Sequence, residues 1–253
     1  MFKGTYKIAD IVFGLDSIYE DVHRYCAEYA FDGEPEYFFT VTQEDIEFER
    51  KMSEREALHE GRGERSYSDA VYEEFAFYRK IAEAMPAHDT VLCHGSVVAV
   101  DGKGYMFIAK SGTGKSTHTR LWREMLGERA VMINDDKPML KIADEAVYAY
   151  GTPYTGKYRL GTNTSVPLDG ICIIERGETN SISPVTKGEA YSMLVQQIYR
   201  PADPLNMVRT MKLIDKLAGN TKLYRLVCNM EKEAAEVAYN GMKAGAENGE
   251  SNI

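Results

Sequence analysis

Residues 109–116, AKSGTGKS, have the types and spacing of a loop that binds phosphate through backbone amides. Glycine at 112 and 114 lacks a Cβ, so the chain can turn its N–H groups toward phosphate oxygens. Lys115 would reach the outer phosphates of a nucleotide, and a serine hydroxyl at 116 suits Mg²⁺. We predict a nucleotide site made of Ser111, Gly112, Thr113, Gly114, Lys115, Ser116 and Thr117.

One position departs from the usual pattern, because Ala109 stands where such loops have their first glycine. That glycine relaxes the turn leaving the preceding strand, and alanine is the smallest side chain that can replace it. An apolar run at 105–109 predicts this strand, and residues 115–126 predict the helix that must follow the loop. The alternative is a glycine-rich turn with no ligand.

An aspartate pair follows the next predicted strand, at 130–133. Asp135 and Asp136 are adjacent, so their side chains should point in different directions. One carboxylate can then hold Mg²⁺ while the other faces a phosphoryl acceptor. The alternative for either residue is that it caps the next turn.

A second glycine-containing loop, residues 151–163, carries Lys157 and Arg159. Glycines favour mobility, and the two cations could meet phosphate charge in the transition state or an acidic acceptor. We predict that this loop contacts substrate or phosphate. The alternative is a solvated surface loop with incidental charges.

Composition restricts the class of protein. The 253 residues carry a net charge of −9, which argues against nucleic acid as a partner. The sequence has neither a secretory-signal pattern nor an apolar run long enough to cross a membrane, so we expect a cytoplasmic protein. The four cysteines lie far apart, and we expect buried free thiols.

Strand, helix and strand in succession around the loop predict the α/β class. We expect an N-terminal α+β region at 1–88, a catalytic domain at 89–242 and a disordered tail at 243–253. Further predicted elements of the catalytic domain are strands at 96–100, 170–175 and 223–228, and helices at 187–199, 205–218 and 232–242.

In the N-terminal region, residues 6–15 and 37–42 each suggest one strand. A capping box at 42–45 predicts a helix through residue 52, and 53–66 reads as a polar link. A further helix starts at Ser68 and is closed by a proline at 86. Its predicted core face consists of Val71, Phe75, Tyr78 and Ala82.

With His94-Gly95 before the loop and Asp135-Asp136 after the next strand, residues 90–178 resemble the catalytic domain of bacterial HPr kinase/phosphorylase. More distantly they resemble ATP-dependent phosphoenolpyruvate carboxykinase. The resemblance implies a P-loop core with a mixed sheet and flanking helices, a need for ATP and Mg²⁺, and phosphorylation of a serine-like hydroxyl. It implies that Asp135 takes the acceptor's proton and that Ser116 and Asp136 bind the metal. It further implies that His94 lies near the γ-phosphate with Lys115, and that a homo-oligomer can form. The alternative for His94 is a structural histidine whose hydrogen bonds are satisfied within the fold.

The chain also departs from that family, because the loop at 151–163 replaces the family's arginine-rich loop and residues 1–88 do not resemble its N-terminal domain. The leading hypothesis is therefore a kinase whose acceptor is a protein, a peptide or a small molecule. The alternative is a catalytically silent nucleotide-binding regulatory or scaffold protein. A decarboxylase is disfavoured by the short chain, and a transport ATPase by the lack of its signature motif.

Overall fold

The computed structural model describes residues 1–59 and 66–250. The chain divides into two compact units, Met1–Ala84 and Met85–Ile253. The boundary expected from the sequence lies between residues 88 and 89. No helix in the described part of the chain is both long and apolar enough to span a bilayer.

The described residues of the N-terminal unit form a three-stranded sheet and three α-helices. Strands β1 and β2 are antiparallel, whereas β2 and β3 are parallel. The single strand predicted at 6–15 is wrong, because Ala9 and Asp10 have φ values of 48° and 71° and form a tight hairpin turn. The elements are β1 (Phe2–Ile8), β2 (Ile11–Ser17), α1 (Asp21–Tyr25), β3 (Tyr37–Thr40), α2 (Gln43–His59) and α3 (Asp69–Ala84).

Helix α2 begins as predicted but is longer. The backbone N–H of Thr42 donates to Asp45 Oδ2 at 3.1 Å, and the Asp45 N–H donates to Thr42 Oγ1 at 3.3 Å, which confirms the capping box. The polar link predicted from residue 53 is wrong up to His59, since glutamate, arginine, alanine and leucine there are strong helix formers. The rest of that link, residues 60–65, lies outside the described residues.

The predicted core face of α3 is correct only in part: Ala82 is buried as predicted, whereas Val71 and Tyr78 are only half-buried. The fully buried stripe of α3 includes Tyr72, Phe77 and Ile81, whereas Phe75 is 36% exposed. Both stripes have helical spacing, so periodicity alone does not distinguish them. Glu73 of this helix is buried. Its carboxylate accepts hydrogen bonds from the backbone N–H groups of residues 18 and 19, which compensates for the loss of water.

The C-terminal unit is built on a nine-stranded mixed sheet. Its strands are β4 (Thr90–Leu92), β5 (Ser96–Val100), β6 (Lys103–Ile108), β7 (Ala130–Asn134), β8 (Met139–Ile142), β9 (Val147–Tyr150), β10 (Ser165–Arg176), β11 (Ser181–Pro184) and β12 (Lys222–Cys228). Its helices are α4 (Lys115–Leu126), α5 (Lys187–Gln197), α6 (Pro204–Asn220) and α7 (Glu233–Glu250).

Strand directions place the chemically interesting residues at one edge of this sheet. The strand order is β4-β8-β9-β10-β6-β5-β7, with β12 also beside β10. Strands β6 and β12 run parallel to β10, and β5 runs antiparallel to both β6 and β7. The carboxyl ends of β6, β7, β10 and β12 therefore lie at the same edge as the amino end of β5.

Helices cover both faces of the central strands. On one face Ile108, Ile173 and their neighbours belong to a core with residues of α5 and α6. On the other, Phe107 and Cys172 belong to a core with Trp122 of α4 and residues of α7. Successive side chains along each strand point to opposite faces of the sheet, and apolar residues on both faces produce these two layers. The predicted α/β class is confirmed, and the four cysteines are buried and free as expected.

The last helix extends beyond its predicted end. Helix α7 was expected to end at residue 242 and to be followed by a disordered tail. Its backbone is instead helical through Glu250. Lysine, alanine and glutamate in the segment 243–250 have high helix propensity. Residues 251–253 lie outside the described residues.

Candidate functional site

The glycine-containing loop at residues 109–114, the candidate phosphate loop, connects β6 to α4 at the sheet edge described above. Gly112 has a φ of 76° and Gly114 a φ of 123°, conformations that favour glycine. Ala109 has no such positive φ, so alanine satisfies this position without strain. No side chain caps the start of α4, which leaves amide N–H groups of its first turn available to an anion.

Lys115 lies inside the loop. Its side chain points back toward β6, where Nζ donates to the Ala109 carbonyl oxygen at 3.4 Å. The residue is 8% exposed, and this burial lowers the pKa of Lys115, while the nearby Asp136 carboxylate opposes the decrease. The ammonium group is thus held where its charge is poorly solvated.

Asp135 is buried against the first turns of α4. Its carboxylate accepts hydrogen bonds from Ser96 Oγ at 3.0 Å and Thr119 Oγ1 at 3.4 Å, and it also accepts one from the Ser116 side chain. Burial raises the pKa of Asp135, and the hydroxyl donors oppose that increase. The structure therefore brings Asp135 and the loop serine together.

Asp136 points toward the lysine and histidine side of the site. Its Oδ1 lies 3.5 Å from His94 Nε2, and the side chain is 33% exposed. Burial raises the pKa of Asp136, while Lys137 and Lys115 oppose the increase. The pKa of His94 is lowered to about 3 by burial and by the same two cations, so its ring is neutral near pH 7.

Gln197, at the end of α5, orients the histidine. The backbone N–H of His94 donates to the backbone oxygen of Gln197 at 2.7 Å. With its amide nitrogen facing the site, the Gln197 side chain donates to His94 Nδ1 at 3.3 Å and to the oxygens of His94 and Ala109 at 3.2 and 3.3 Å. This assignment leaves the proton on Nε2 of His94, which faces Asp136.

The second loop is joined to the aspartate strand by its backbone. The Asp135 N–H donates to the Leu160 oxygen at 3.1 Å. A Cβ built on Gly156, whose φ is 68°, would lie 3.0 Å from the Asp136 Cβ. The loop therefore packs closely on the aspartate pair, while Lys157 and Arg159 lie on its exposed part. The Lys157 ammonium lies 5.4 Å from the centroid of the neighbouring tyrosine ring.

Several residues of the site were not anticipated from the sequence. Lys137 directly follows the aspartates, and its position there was a signal that could have been used. Arg176, at the end of β10, donates to the backbone oxygens of Gly112 at 2.6 Å and Thr113 at 3.2 Å. It holds the loop from a strand far along the chain, as Gln197 holds the histidine, and no local pattern marks either residue.

No protein-family model and no curated protein sequence matches this chain. Among solved structures, that of the Hpr(Ser) kinase/phosphatase from Coxiella burnetii is similar, with 11% sequence identity and a TM-score of 0.33. The similarity covers 59% of this chain and 94% of that chain.

Proposed function

We propose that this chain is a phosphotransferase with a P-loop core of the HPr-kinase and phosphoenolpyruvate-carboxykinase type. It uses ATP and Mg²⁺ to phosphorylate a serine-like hydroxyl on a protein, a peptide or a small molecule. One observation carries the proposal: the loop lysine and both aspartates share one site. The Asp136 carboxylate is close enough to Lys115 to raise the pKa of its ammonium group. Asp135 is hydrogen-bonded to Ser116.

The loop fits a nucleotide's phosphates. Gly112 and Gly114 turn the chain without side chains in the way, and the uncapped start of α4 offers amide donors. The ammonium of Lys115 has three donors, and its hydrogen bond to Ala109 is long. Phosphate oxygens would accept hydrogen bonds from this buried ammonium group and would neutralise its charge.

The donor set fits Mg²⁺ bound together with a nucleotide. No group of three or more His, Cys, Asp or Glu side chains in the described ranges forms a metal cage. Mg²⁺ in kinases is usually held by one or two protein oxygens together with phosphates and waters. Ser116 with one aspartate supplies such a set. The ion would neutralise the negative charge that develops on the phosphates.

The contacts favour an exchange of the two aspartate roles expected from the sequence. The Asp135 carboxylate is already engaged by hydroxyl groups, one of them from Ser116, and it suits the metal side. The Asp136 carboxylate is partly exposed and lies beside Lys115 and Gly156. We assign it to the acceptor: it takes the hydroxyl proton as the oxygen bonds to the γ-phosphorus and ADP departs. A raised pKa suits this general base.

His94 and the second loop complete the proposed site. The Nε2–H of His94 faces Asp136 and holds that carboxylate toward the acceptor. We also propose that Lys157 and Arg159, which are exposed on the loop that packs on the aspartate pair, contact the acceptor or phosphate.

Paired variants test this function and the two roles. ATP consumption and the Kd for ATP, with and without Mg²⁺, are measured for Asp136→Asn and Asp135→Asn. Asp136→Asn should lower turnover by at least about 100-fold and leave ATP affinity unchanged. Asp135→Asn should remove the Mg²⁺-dependent part of ATP binding. Asp144→Asn is the matched control, since Asp144 is fully exposed in the same unit.

Each other outcome has a defined meaning. The reverse pattern between the two variants would restore the roles expected from the sequence. Unchanged turnover in both would contradict the kinase proposal. A wild-type protein that binds ATP without consuming it, under any acceptor supplied, would instead support the regulatory or scaffold alternative.

A further inference from the structure

Lys137 brings a second cation to the candidate site. The residue is half-buried, and no carboxylate in the described part of the chain forms an ion pair with its ammonium group. Burial has the largest effect on the pKa of His94 and on that of Asp136, and the charge of Lys137 has the next largest, ahead of Lys115. The Lys137 charge therefore lies close to both side chains.

A buried polar network fixes the backbone of Lys137 on both sides. Its N–H donates to Asn134 Oδ1 at 2.7 Å, and its carbonyl oxygen accepts a hydrogen bond from Thr152 Oγ1 at 2.8 Å. Asn134 and Thr152 are fully buried, and Asn134 Nδ2 donates to Thr152 Oγ1 at 3.0 Å. A lysine held in this way has a rigid base, a flexible stem and three donors at its tip.

Pairing with the segment before β5 sets the direction of the side chain. The backbone N–H groups on either side of His94 donate to the carbonyl oxygens on either side of Lys137, at 3.1 and 3.0 Å. In such an antiparallel pairing the two residues between the hydrogen bonds face each other, and their side chains lie on the same face. The Lys137 side chain thus stands beside the His94 ring, whose Nε2 is 3.5 Å from Asp136 Oδ1.

This arrangement argues against a purely structural role for the side chain. A lysine usually stabilises a fold through an ion pair or through packing of its alkyl stem. Lys137 has no ion pair with a described residue and stays partly exposed, and its backbone makes the hydrogen bonds that hold the turn. The ammonium group is left for a ligand.

The position is next to the reacting atoms of the proposed function. Asp136 takes the proton of the acceptor hydroxyl there, so the attacking oxygen lies at its carboxylate and the γ-phosphorus lies one bond further on. The reacting group would meet Lys137 from the turn after β7 as well as Lys115 from the loop. Kinases accelerate transfer mainly by placing such fixed charges around the phosphoryl group.

We propose that Lys137 is a further catalytic residue, whose ammonium group donates hydrogen bonds to the oxygens of the phosphoryl group during its transfer. The acceptor oxygen bonds to the γ-phosphorus, the bond to the ADP oxygen breaks, and the acceptor's proton goes to Asp136. Lys137 keeps its own proton and neutralises negative charge on the equatorial oxygens. The inference rests on the proposed function and adds a residue that recognises its transition state.

The first experiment measures ATP hydrolysis by the full chain with water as the acceptor. Lys137→Met removes the charge and keeps an unbranched side chain, and kcat should fall about 10- to 150-fold, the cost of one charge-assisted hydrogen bond. The Kd for ATP should rise less than about threefold, because the contact forms in the transition state. Lys137→Arg restores a cation and should recover most of the loss. Lys141→Met is the matched control, since Lys141 is equally half-buried but lies in β8.

A transition-state mimic tests the contact directly and requires no turnover. ADP with Mg²⁺ and aluminium fluoride imitates the phosphoryl group in transfer, whereas ADP with Mg²⁺ alone lacks that group. In calorimetric titrations Lys137→Met should weaken binding of the mimic about 10- to 150-fold and binding of ADP less than about threefold. Equal weakening of both ligands, or of neither, would overturn the inference.

The inference and the proposed function fail in different ways. If Lys137→Met hydrolyses ATP and binds the mimic as the wild type does, Lys137 is not catalytic and the inference alone is overturned. Loss of activity in both the Met and the Arg variant, with a lowered free energy of unfolding in urea, would show that the lysine stabilises the fold and would also overturn it. If the wild type binds the mimic no more tightly than ADP, the proposed function itself is wrong.

Discussion

Lys115 provides a sharp test because its two possible roles predict opposite results. If Lys115 has a structural role, its removal should lower the free energy of unfolding of the protein without ligand. If it binds phosphate, its buried charge should contribute no stability until phosphate is bound. Lys115 is 8% exposed, its ammonium group makes a long hydrogen bond to the Ala109 carbonyl oxygen, and burial lowers its pKa. Lys115→Met removes the charge and keeps an unbranched side chain.

The expected magnitudes follow from these contacts. Loss of a charge-assisted hydrogen bond to phosphate costs about 1.5–3 kcal/mol, so ATP affinity should fall about 10- to 150-fold. The free energy of unfolding without ligand should change by less than about 1 kcal/mol. Relief of the desolvation of the charge offsets the lost attraction to Asp136 and the lost bond to Ala109.

The assay combines calorimetric titration of ATP with urea unfolding of the protein without ligand. Lys110→Met is the matched control, because Lys110 lies in the same loop with an exposed side chain. Its removal should change ATP affinity less than about threefold. A strongly destabilised Lys115→Met with unchanged ATP affinity would refute the reasoning, since the lysine would then serve the fold.

Three further outcomes are expected. Gly156→Ala should reduce turnover more than about tenfold, because the new methyl group crowds the adjacent aspartate. The control is Gly102→Ala, which is also at positive φ but in open space. It should show only the backbone cost of about 1 kcal/mol in urea unfolding. Gln197→Leu should lower turnover without changing the Kd for ATP and should shift the His94 tautomer in nitrogen NMR; an unchanged tautomer would contradict the positioning role. Burial lowers the pKa of His23, so the folded state binds this proton less readily than the unfolded chain does. The free energy of unfolding should therefore fall as the pH drops below about 6.5 toward that lowered pKa. His23→Asn should remove this part of the pH dependence, and an identical slope in both proteins would rule it out.

Local patterns were sufficient to predict the backbone of the loop at residues 109–114 and the helix after it. Glycine at 112 and 114 is needed for positive φ whatever surrounds the loop, and the helix after it occupies the predicted residues, Lys115–Leu126. Strand β5 also has its predicted bounds, Ser96–Val100. Such features depend on backbone preferences and on short-range periodicity, both of which are present in a few consecutive residues.

The same local information misplaced features that depend on packing. Two stripes of α3 have equal periodicity, and only its neighbours decide that Phe77 is buried and Phe75 is not. The turn at residues 9–10 contains neither glycine nor proline, so nothing local indicated a hairpin.

The arrangement of the site was decided only by the tertiary structure. The order of the strands places β5 between β6 and β7, which brings His94 and the aspartates to the edge where the loop lies. Arg176 and Gln197 reach that edge from elements far along the chain. The sequence by itself determined the candidate loop and the candidate aspartates, because residue types and short spacings are local. Which of them meet was determined by sheet order and packing, because those contacts join residues that are distant in the chain.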